Sequence, residues 1–235
     1  MLDVERRHLA KPVEFRASEN GPGTLHGYAA VFNRYSQNLG GFVEQVDPGA
    51  FSKTVGDGLP VLCRYNHDDN YLLGTTEAQT LRLAIDEIGL EYEDDLPNTT
   101  AGNDVSALAQ RFDLRYSSFA FRTIEDEWSL TEQGFPLRTL LQVQLLDVAP
   151  VNSPAYLDSS VGMRSLASKL DVEPEQLEHA TTAELRSLIL GESIELPPAE
   201  KRGEEEQQKE TDQGQGDTHP SVALRKRELE ILKLR

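Results

Sequence analysis

The first half of the chain alternates apolar and polar residues over short stretches, a pattern that is typical of β-strands. The turn-forming sequence SENGPG at 18–23 predicts a hairpin between the two strands that flank it. In chain order we expect strands at 12–17, 24–32, 42–46, 61–66, 81–86 and 89–94, with a short helix at 50–55. The first half is therefore predicted to be mainly β.

The segment YSSFAFR at 116–122 is a predicted strand with a candidate nucleophile. Because side chains alternate along a strand, Ser117 shares the face of Phe119 and Phe121, which we expect to be the core side. Ser118 points the opposite way. A serine hydroxyl becomes a useful nucleophile only when a base takes its proton. The alternatives are that Ser118 is an ordinary polar residue on a half-exposed strand, or that Ser117 is the reactive serine.

The candidate base is His67, at the end of the predicted strand 61–66. Alternation places it on the face of Val61, Cys63 and Tyr65, at a strand end that solvent or substrate can approach. Alternatively, His67 forms a hydrogen bond with the turn at 68–69 and has no chemical role. The other histidines are weaker candidates: His8 lies in a charged N-terminal arm, His26 within a strand, His179 in a helical segment and His219 in a low-complexity tail.

The candidate orienting group is Asp147, on the long strand predicted at 137–148. Alternation places its carboxylate at the end of a row formed by Leu141, Val143 and Leu145. A buried charge without a partner is costly, and pairing with a histidine would offset that cost while holding the imidazole in place. Alternatively, the strand frays here and the Asp147 carboxylate is exposed to solvent, or the Asp147 side chain caps the following turn.

The second half of the chain ends in helices and a polar tail. We expect helices at 104–111 and 161–170, and a third that starts at the capping box formed by Thr181 and Glu184. Residues 200–217 contain no hydrophobic side chain and are predicted to be a disordered linker. An amphipathic basic helix is expected at 221–235, either as a partner-docking peptide or as a frayed tail. The predicted domains are thus 1–160, a small helical extension at 161–195, a linker at 196–220 and the terminal helix.

Composition narrows the function classes. The 235 residues carry a formal net charge of −17, which argues against binding to nucleic acid or to an anionic membrane. The single cysteine excludes an internal disulfide framework. The sequence shows no hydrophobic run that would serve as a signal peptide or span a bilayer, and we identify no cofactor or metal requirement.

Several segments, in their order and spacing over residues 25–157, resemble the prohead proteases of tailed phages, serine peptidases similar to herpesvirus assemblin. These segments are GYAAVFN at 27–33, Glu44 with PGAF at 48–51, NHD at 66–68 with LG at 73–74, DEIGL at 86–90, SFAFR at 118–122, LLDV at 145–148 and PA at 154–155. The histidine of the family then corresponds to His67 and its serine to Ser118. The third member, commonly a glutamate, corresponds to Asp147.

The resemblance implies a fold and a mechanism. The fold would be mainly β with surrounding helices, built on a closed antiparallel β-barrel of the assemblin type, followed by the helical extension and the tail. The mechanism would be acyl transfer. Ser118 would attack the scissile carbonyl, His67 would take and return the proton, and Asp147 would fix the imidazole tautomer.

The resemblance also implies a biological setting. The enzyme would process the capsid or scaffold protein during prohead maturation and cleave itself. Its partners would be the major capsid protein and the scaffold region, with a homodimer left open and with no nucleic acid or membrane. It would act inside the assembling prohead in the host cytoplasm and be absent or degraded in the mature virion. The competing hypothesis is a catalytically inactive assembly or scaffolding protein that retains the barrel.

Overall fold

Strands dominate the part of the chain that the computed structural model describes, which is residues 3–9, 13–18, 21–152, 160–194 and 196. The strands are β1 (Glu5–Leu9), β2 (Glu14–Ser18), β3 (Gly21–Val31), β4 (Val43–Val46), β5 (Leu62–Arg64), β6 (Leu72–Thr75), β7 (Leu81–Ile85), β8 (Gly89–Asp95), β9 (Tyr116–Leu130) and β10 (Pro136–Val151). The helices are α1 (Ser52–Gly56), α2 (Thr100–Gln110), α3 (Ser160–Leu170), α4 (Pro174–Glu178) and α5 (Thr182–Ile189).

The strands form two sheets that share one hydrophobic core. The first has six strands in the order β1-β9-β10-β5-β6, with β4 also paired to β10. The second has four antiparallel strands in the order β2-β3-β8-β7. Buried apolar side chains from both sheets, such as Leu25, Tyr92, Phe121 and Val148, pack into one cluster. Burial of this apolar surface is the main force that holds the sheets together.

The prediction of a closed antiparallel barrel is wrong. Both sheets are open, so the described residues form a mixed α/β structure in which no sheet closes on itself. Closure would require the edge strands β1 and β6 to pair with each other, and they do not do so among the described residues. The six-stranded sheet is also not purely antiparallel, because β10 pairs in parallel with β4 and with β5. With 16 residues, β10 is long enough to pair with β4 at 137–140 and with β5 at 147–148.

Strand β1 was missed by the sequence analysis because its inward-facing residues are charged. Glu5 and Arg7 are buried, although apolar residues normally occupy such positions. Arg7 pairs with Glu5 and Glu44 at 2.8 Å each. Arg138, whose side chain is 0% exposed, pairs with Glu5 at 2.7 Å, Glu44 at 3.0 Å and Asp126 at 2.7 Å. Burial raises the pKa of Glu5, but the hydrogen bonds and charge of Arg138 more than reverse that effect.

The C-terminal helices cover a second hydrophobic cluster beside the six-stranded sheet. Met163, Leu166, Leu177 and Leu185 pack with Phe42, and Trp128 lies against the same cluster. The predicted capping box is present at the start of α5, where the Thr181 and Glu184 side chains each accept a hydrogen bond from the other residue's backbone N–H. The predicted domain boundaries stay predictions, and the predicted linker, apart from Leu196, and the terminal helix lie outside the described residues.

Candidate active site

The three candidate residues from the sequence lie in hydrogen-bonding contact. His67 Nδ1 is 2.5 Å from Asp147 Oδ1, and His67 Nε2 is 2.6 Å from Ser118 Oγ. They come from three separate parts of the chain, since Ser118 lies on β9, Asp147 on β10 and His67 just after β5. Carboxylate, imidazole and hydroxyl are thus joined in one continuous line.

Ser118 is held between two neighbouring strands. Across β9 it lies opposite His8 of β1 on one side and Ala149 of β10 on the other. Its hydroxyl donates a hydrogen bond to the carbonyl oxygen of Arg7 at 2.8 Å. A hydroxyl has one proton, so it can donate either to this carbonyl or to His67, but not to both at once. Ser118 is only 1% exposed.

His67 does not extend its strand as predicted. Strand β5 ends at Arg64 and is followed by a 3₁₀ turn over Tyr65–His67. Asn66 and His67 both have left-handed backbone conformations, with φ of 55° and 58°. Residues other than glycine are uncommon in this region, although asparagine and histidine are enriched there, and such conformations cluster at functional sites. The predicted placement of His67 on the face of Val61, Cys63 and Tyr65 is therefore wrong, because the turn directs the imidazole toward Ser118.

Asp147 also faces a different side from the one predicted. Leu145 pairs with Phe121, but Asp147 pairs with Ala120, so the register shifts between them. This β-bulge places Asp147 on the face of Ala120 and Ser118 instead of continuing the row that contains Leu145. The Asp147 side chain is 0% exposed. The expectation that it is buried and paired with histidine agrees with these contacts, whereas its predicted face was wrong.

Arg64 is a site residue that the sequence analysis missed. Its guanidinium pairs with Oδ2 of Asp147, the oxygen that His67 does not use, and also with Asp69. The pairing satisfies the second oxygen of a fully buried carboxylate, which would otherwise be costly. Alternation along Leu62-Cys63-Arg64 puts Arg64 on the face of Leu62, but the pairing of Leu62 with Asp147 joins distant strands and left no local signal in the sequence.

The surroundings of His67 favour its neutral form. Burial, followed by the electrostatic influence of Arg6, Arg64 and His8, lowers the pKa of His67 to about 3. Because Arg64 is shared with Asp147, the carboxylate beside the imidazole is already partly neutralised. A neutral imidazole is the form that can accept a proton.

Ser117, the rival serine, lies on the opposite face as predicted. It is 0% exposed, and its Oγ is 3.0 Å from the hydroxyl of Tyr92 in the core between the sheets. Among the other histidines, His26 pairs with Glu91 in the four-stranded sheet, whereas His8 lies opposite Ser118. Histidine 179 follows α4, and position 219 lies outside the described residues.

A carboxylate, an imidazole and a hydroxyl joined in this order form the arrangement by which serine hydrolases activate a nucleophile. The chain belongs to the caudovirus prohead serine protease family, whose model matches residues 11–172. No curated protein and no solved structure matches the chain. Membership assigns the protein a serine protease activity in prohead maturation, with capsid protein as the general class of substrate.

Two further findings concern the described residues alone. Within them, no group of three or more histidine, cysteine, aspartate or glutamate side chains is arranged to hold a metal ion. The helices that the structure describes are all too short or too polar to cross a membrane.

Proposed function

We propose that the protein is a serine endopeptidase in which Ser118 is the nucleophile, His67 the general base and Asp147 the group that orients the base. The observation that supports this most directly is the continuous line of contacts from Asp147 through His67 to Ser118. Family membership supports the reaction type.

In the proposed reaction, Ser118 Oγ attacks the carbonyl carbon of a peptide bond while His67 Nε2 takes the hydroxyl proton. The tetrahedral intermediate collapses when the C–N bond breaks and His67 gives its proton to the leaving amine. Water then attacks the acyl-enzyme and loses a proton to His67. The bond from Ser118 Oγ to the acyl carbon breaks as His67 returns that proton to Oγ, and the carboxylic acid product leaves. No external oxidant or metal enters this balance.

Asp147 would act through His67. An Nδ1–H that donates to Asp147 fixes the tautomer in which Nε2 is free to accept the serine proton, and the carboxylate stabilises the imidazolium that forms. Arg64 would help to keep Asp147 ionised, because its guanidinium pairs with the second carboxylate oxygen. We regard Arg64 as a positioning residue.

The proposed substrates are the major capsid protein with its scaffold region, and the protease chain itself. Family membership supports a capsid substrate in general. The predicted linker at 200–217 is the segment of the chain that a protease groove could accept most easily, because a protease needs an extended, unpacked chain. The enzyme would act inside the assembling prohead in the host cytoplasm and disappear by self-digestion as the virion matures.

Mass spectrometry of the purified full-length chain tests the proposal. We expect shortened products from the wild type and an intact chain from Ser118→Ala at equal folded yield. Loss of a nucleophile in such a triad costs several orders of magnitude in rate, so only a near-complete block supports the assignment. Equal processing of the two proteins would remove Ser118 from the mechanism. A wild type that cleaves neither itself nor the capsid protein would favour the non-catalytic assembly role.

A further inference from the structure

The edge strand β1 forms one wall of the candidate active site. In the register between β1 and β9, His8 lies opposite Ser118, and Arg6 lies opposite Ala120. Residues that face each other across neighbouring strands project from the same side of the sheet. Arg6 and His8 therefore project from the face that carries Ser118 and Asp147, whereas Arg7 between them points into the core.

The polar groups of these two side chains have no partner among the described residues. Arg6 is exposed and forms no ion pair with any described side chain. The neighbouring Arg7, by contrast, forms ion pairs with Glu5 and Glu44. Both ring nitrogens of His8 are buried and, within the described part of the chain, have no hydrogen-bond partner. A buried polar group without a partner is unusual in a native structure and calls for an explanation.

The free charge of Arg6 acts directly on the candidate base. The β1–β9 register places His8 opposite Ser118 and Arg6 opposite Ala120, on the face where His67 contacts Ser118 Oγ, and both contribute to the lowered pKa of His67. Arg64, the other arginine that lowers this pKa, is already paired with Asp147 and Asp69. Among the described residues, Arg6 is thus a cation without an ion-pair partner on the His67 side of the sheet, in a chain whose net charge is −17. A chain with this net charge repels acidic peptides in general. A cation beside the site would therefore be needed to attract the carboxylate of an acidic peptide.

We propose that Arg6 and His8 form a subsite that binds an acidic side chain of the substrate close to the scissile bond. The inference rests on the proposed endopeptidase function and adds a substrate class to it. The guanidinium of Arg6 would bind the carboxylate through two parallel N–H groups, the strongest geometry available to an arginine. Burial and the charge of Arg7 lower the pKa of His8, so near neutral pH it would supply one neutral N–H donor.

The chain itself contains a segment of this class. Three consecutive glutamates, Glu204, Glu205 and Glu206, lie in the stretch at 200–217 that has no hydrophobic side chain. A subsite that binds acidic side chains would direct self-cleavage toward this stretch. It would spare segments of the chain that have no carboxylate near the scissile bond.

The alternative explanation is that Arg6 is a solvated surface charge that does not touch the substrate. The two explanations differ in one measurable property, which is the charge preference of the cleaved sequence. A solvated arginine leaves the enzyme indifferent to substrate charge, whereas a binding arginine creates a preference that inverts when its own charge is inverted.

The test uses a synthetic octapeptide library, randomised at every position, with the full-length protein. After partial digestion, the new ends are sequenced by mass spectrometry, and Ser118→Ala serves as the blank. We expect the wild type to enrich Glu and Asp over Gln and Asn about tenfold at one or two positions beside the cleaved bond, since hydrogen bonds to charged groups are strong enough for that factor. Arg6→Glu should lose this enrichment and favour Lys and Arg at the same positions.

Two further variants complete the design. Arg16→Glu changes an exposed arginine on β2, in the other sheet, and should keep the acidic preference of the wild type. His8→Gln should reduce the preference through KM with little change in kcat. Library cleavage without acidic enrichment, or an Arg6→Glu variant with the wild-type preference, would overturn the subsite while leaving the endopeptidase proposal intact. A wild type that cleaves no library member would overturn both.

Discussion

Asp147 lies opposite Ala120 on the neighbouring strand, although Leu145 lies opposite Phe121, so Leu146 is an extra residue in β10. This bulge turns the carboxylate from the core face to the face of Ser118, where it meets His67 at 2.5 Å. A regular strand would leave Asp147 inside the core with the leucines, out of reach of the imidazole.

The first prediction follows from that contact. Asp147→Asn should lower kcat by roughly three to four orders of magnitude at every pH, because an amide can donate to Nδ1 and favour the wrong tautomer. Asp69→Asn is the matched control, since Asp69 pairs with the same Arg64 but its side chain is 87% exposed. Single-turnover peptide hydrolysis measures both. Unchanged kinetics in Asp147→Asn would remove Asp147 from the proposed mechanism.

Ser117→Ala should keep substantial activity but lower the thermal midpoint of unfolding. The change leaves the buried hydroxyl of Tyr92 without its 3.0 Å partner, at a cost of about 1–3 kcal/mol. Activity per folded molecule and calorimetry measure the two effects separately. If Ser117→Ala were the inactive variant at normal folded yield, the two serines would have been assigned the wrong way round.

The pH dependence of kcat should reflect the lowered pKa of His67. Because burial and the nearby arginines bring that pKa to about 3, the imidazole stays neutral well below its ordinary value of about 6.5. Activity should therefore hold down to about pH 5, provided that the fold survives, and then fall as His67 gains a proton. An acid limb centred near 6.5 would show that His67 is not held in its neutral form.

The same shift makes folding sensitive to acid. Below about pH 6.5 the unfolded chain binds a proton at this histidine that the folded chain does not, so the free energy of unfolding decreases as the pH falls toward 3. His67→Gln should remove this part of the pH dependence. Urea denaturation at several pH values, on the inactive Ser118→Ala background, measures it without interference from self-cleavage.

Asp94 should limit stability at alkaline pH. Its carboxylate is 0% exposed, and neither oxygen accepts a conventional hydrogen bond within the described residues. Burial raises its pKa to about 7, and the weakly donating Cys63 thiol offsets only part of the rise. The folded state therefore binds a proton that the unfolded state releases above about pH 4, and the resulting stability is lost as the pH rises through 7.

Asp94→Asn should therefore make the free energy of unfolding less dependent on pH, and the variant should be more stable than the wild type above about pH 8. The neighbouring Gly74 provides a contrast, since a Cβ there would lie only 1.9 Å from Asp94 Oδ1. Gly74→Ala should destabilise the fold at all pH values. Equal pH profiles for wild type and Asp94→Asn would show that Asp94 does not titrate in this range.

Removing Arg138 should be severely destabilising. Arg138→Met leaves Glu5, Glu44 and Asp126 as buried carboxylates with fewer partners, at a cost of about 3–5 kcal/mol. Arg82→Met is the control, because Arg82 pairs with two carboxylates but its side chain is 45% exposed. Ion pairs at exposed positions contribute about 1 kcal/mol or less. Similar losses from the two substitutions would contradict a special role for the buried network.

The sequence predicted the short strands better than it predicted the direction in which the candidate side chains point. Strands β7 and β8 and the α5 capping box follow from local patterns that depend on few residues. The facing of His67 and Asp147 failed because alternation assumes an unbroken strand. The 3₁₀ turn at Tyr65–His67 and the bulge at Leu146 both break that assumption.

Three other features required information that local patterns lack. Strand β1 was not predicted because its inward-facing residues, Glu5 and Arg7, are charged. They can be buried because they pair with Glu44 and Arg138, which are far away in the sequence. The closed barrel was taken from the resemblance to assemblin, and pairing between distant strands decided otherwise. Arg64 was missed for the same reason, since its partner Asp147 lies 83 residues further along the chain.

The hydrogen bond from Ser118 to the Arg7 carbonyl joins groups that are 111 residues apart. During synthesis, β1 leaves the ribosome long before β9 exists, and the strand that carries Asp147 comes later still. Contacts across such separations form late in folding, because a long loop has to close first. In the proposed mechanism, a growing chain thus has neither an oriented Ser118 hydroxyl nor a base paired with Asp147 until most of it has been made.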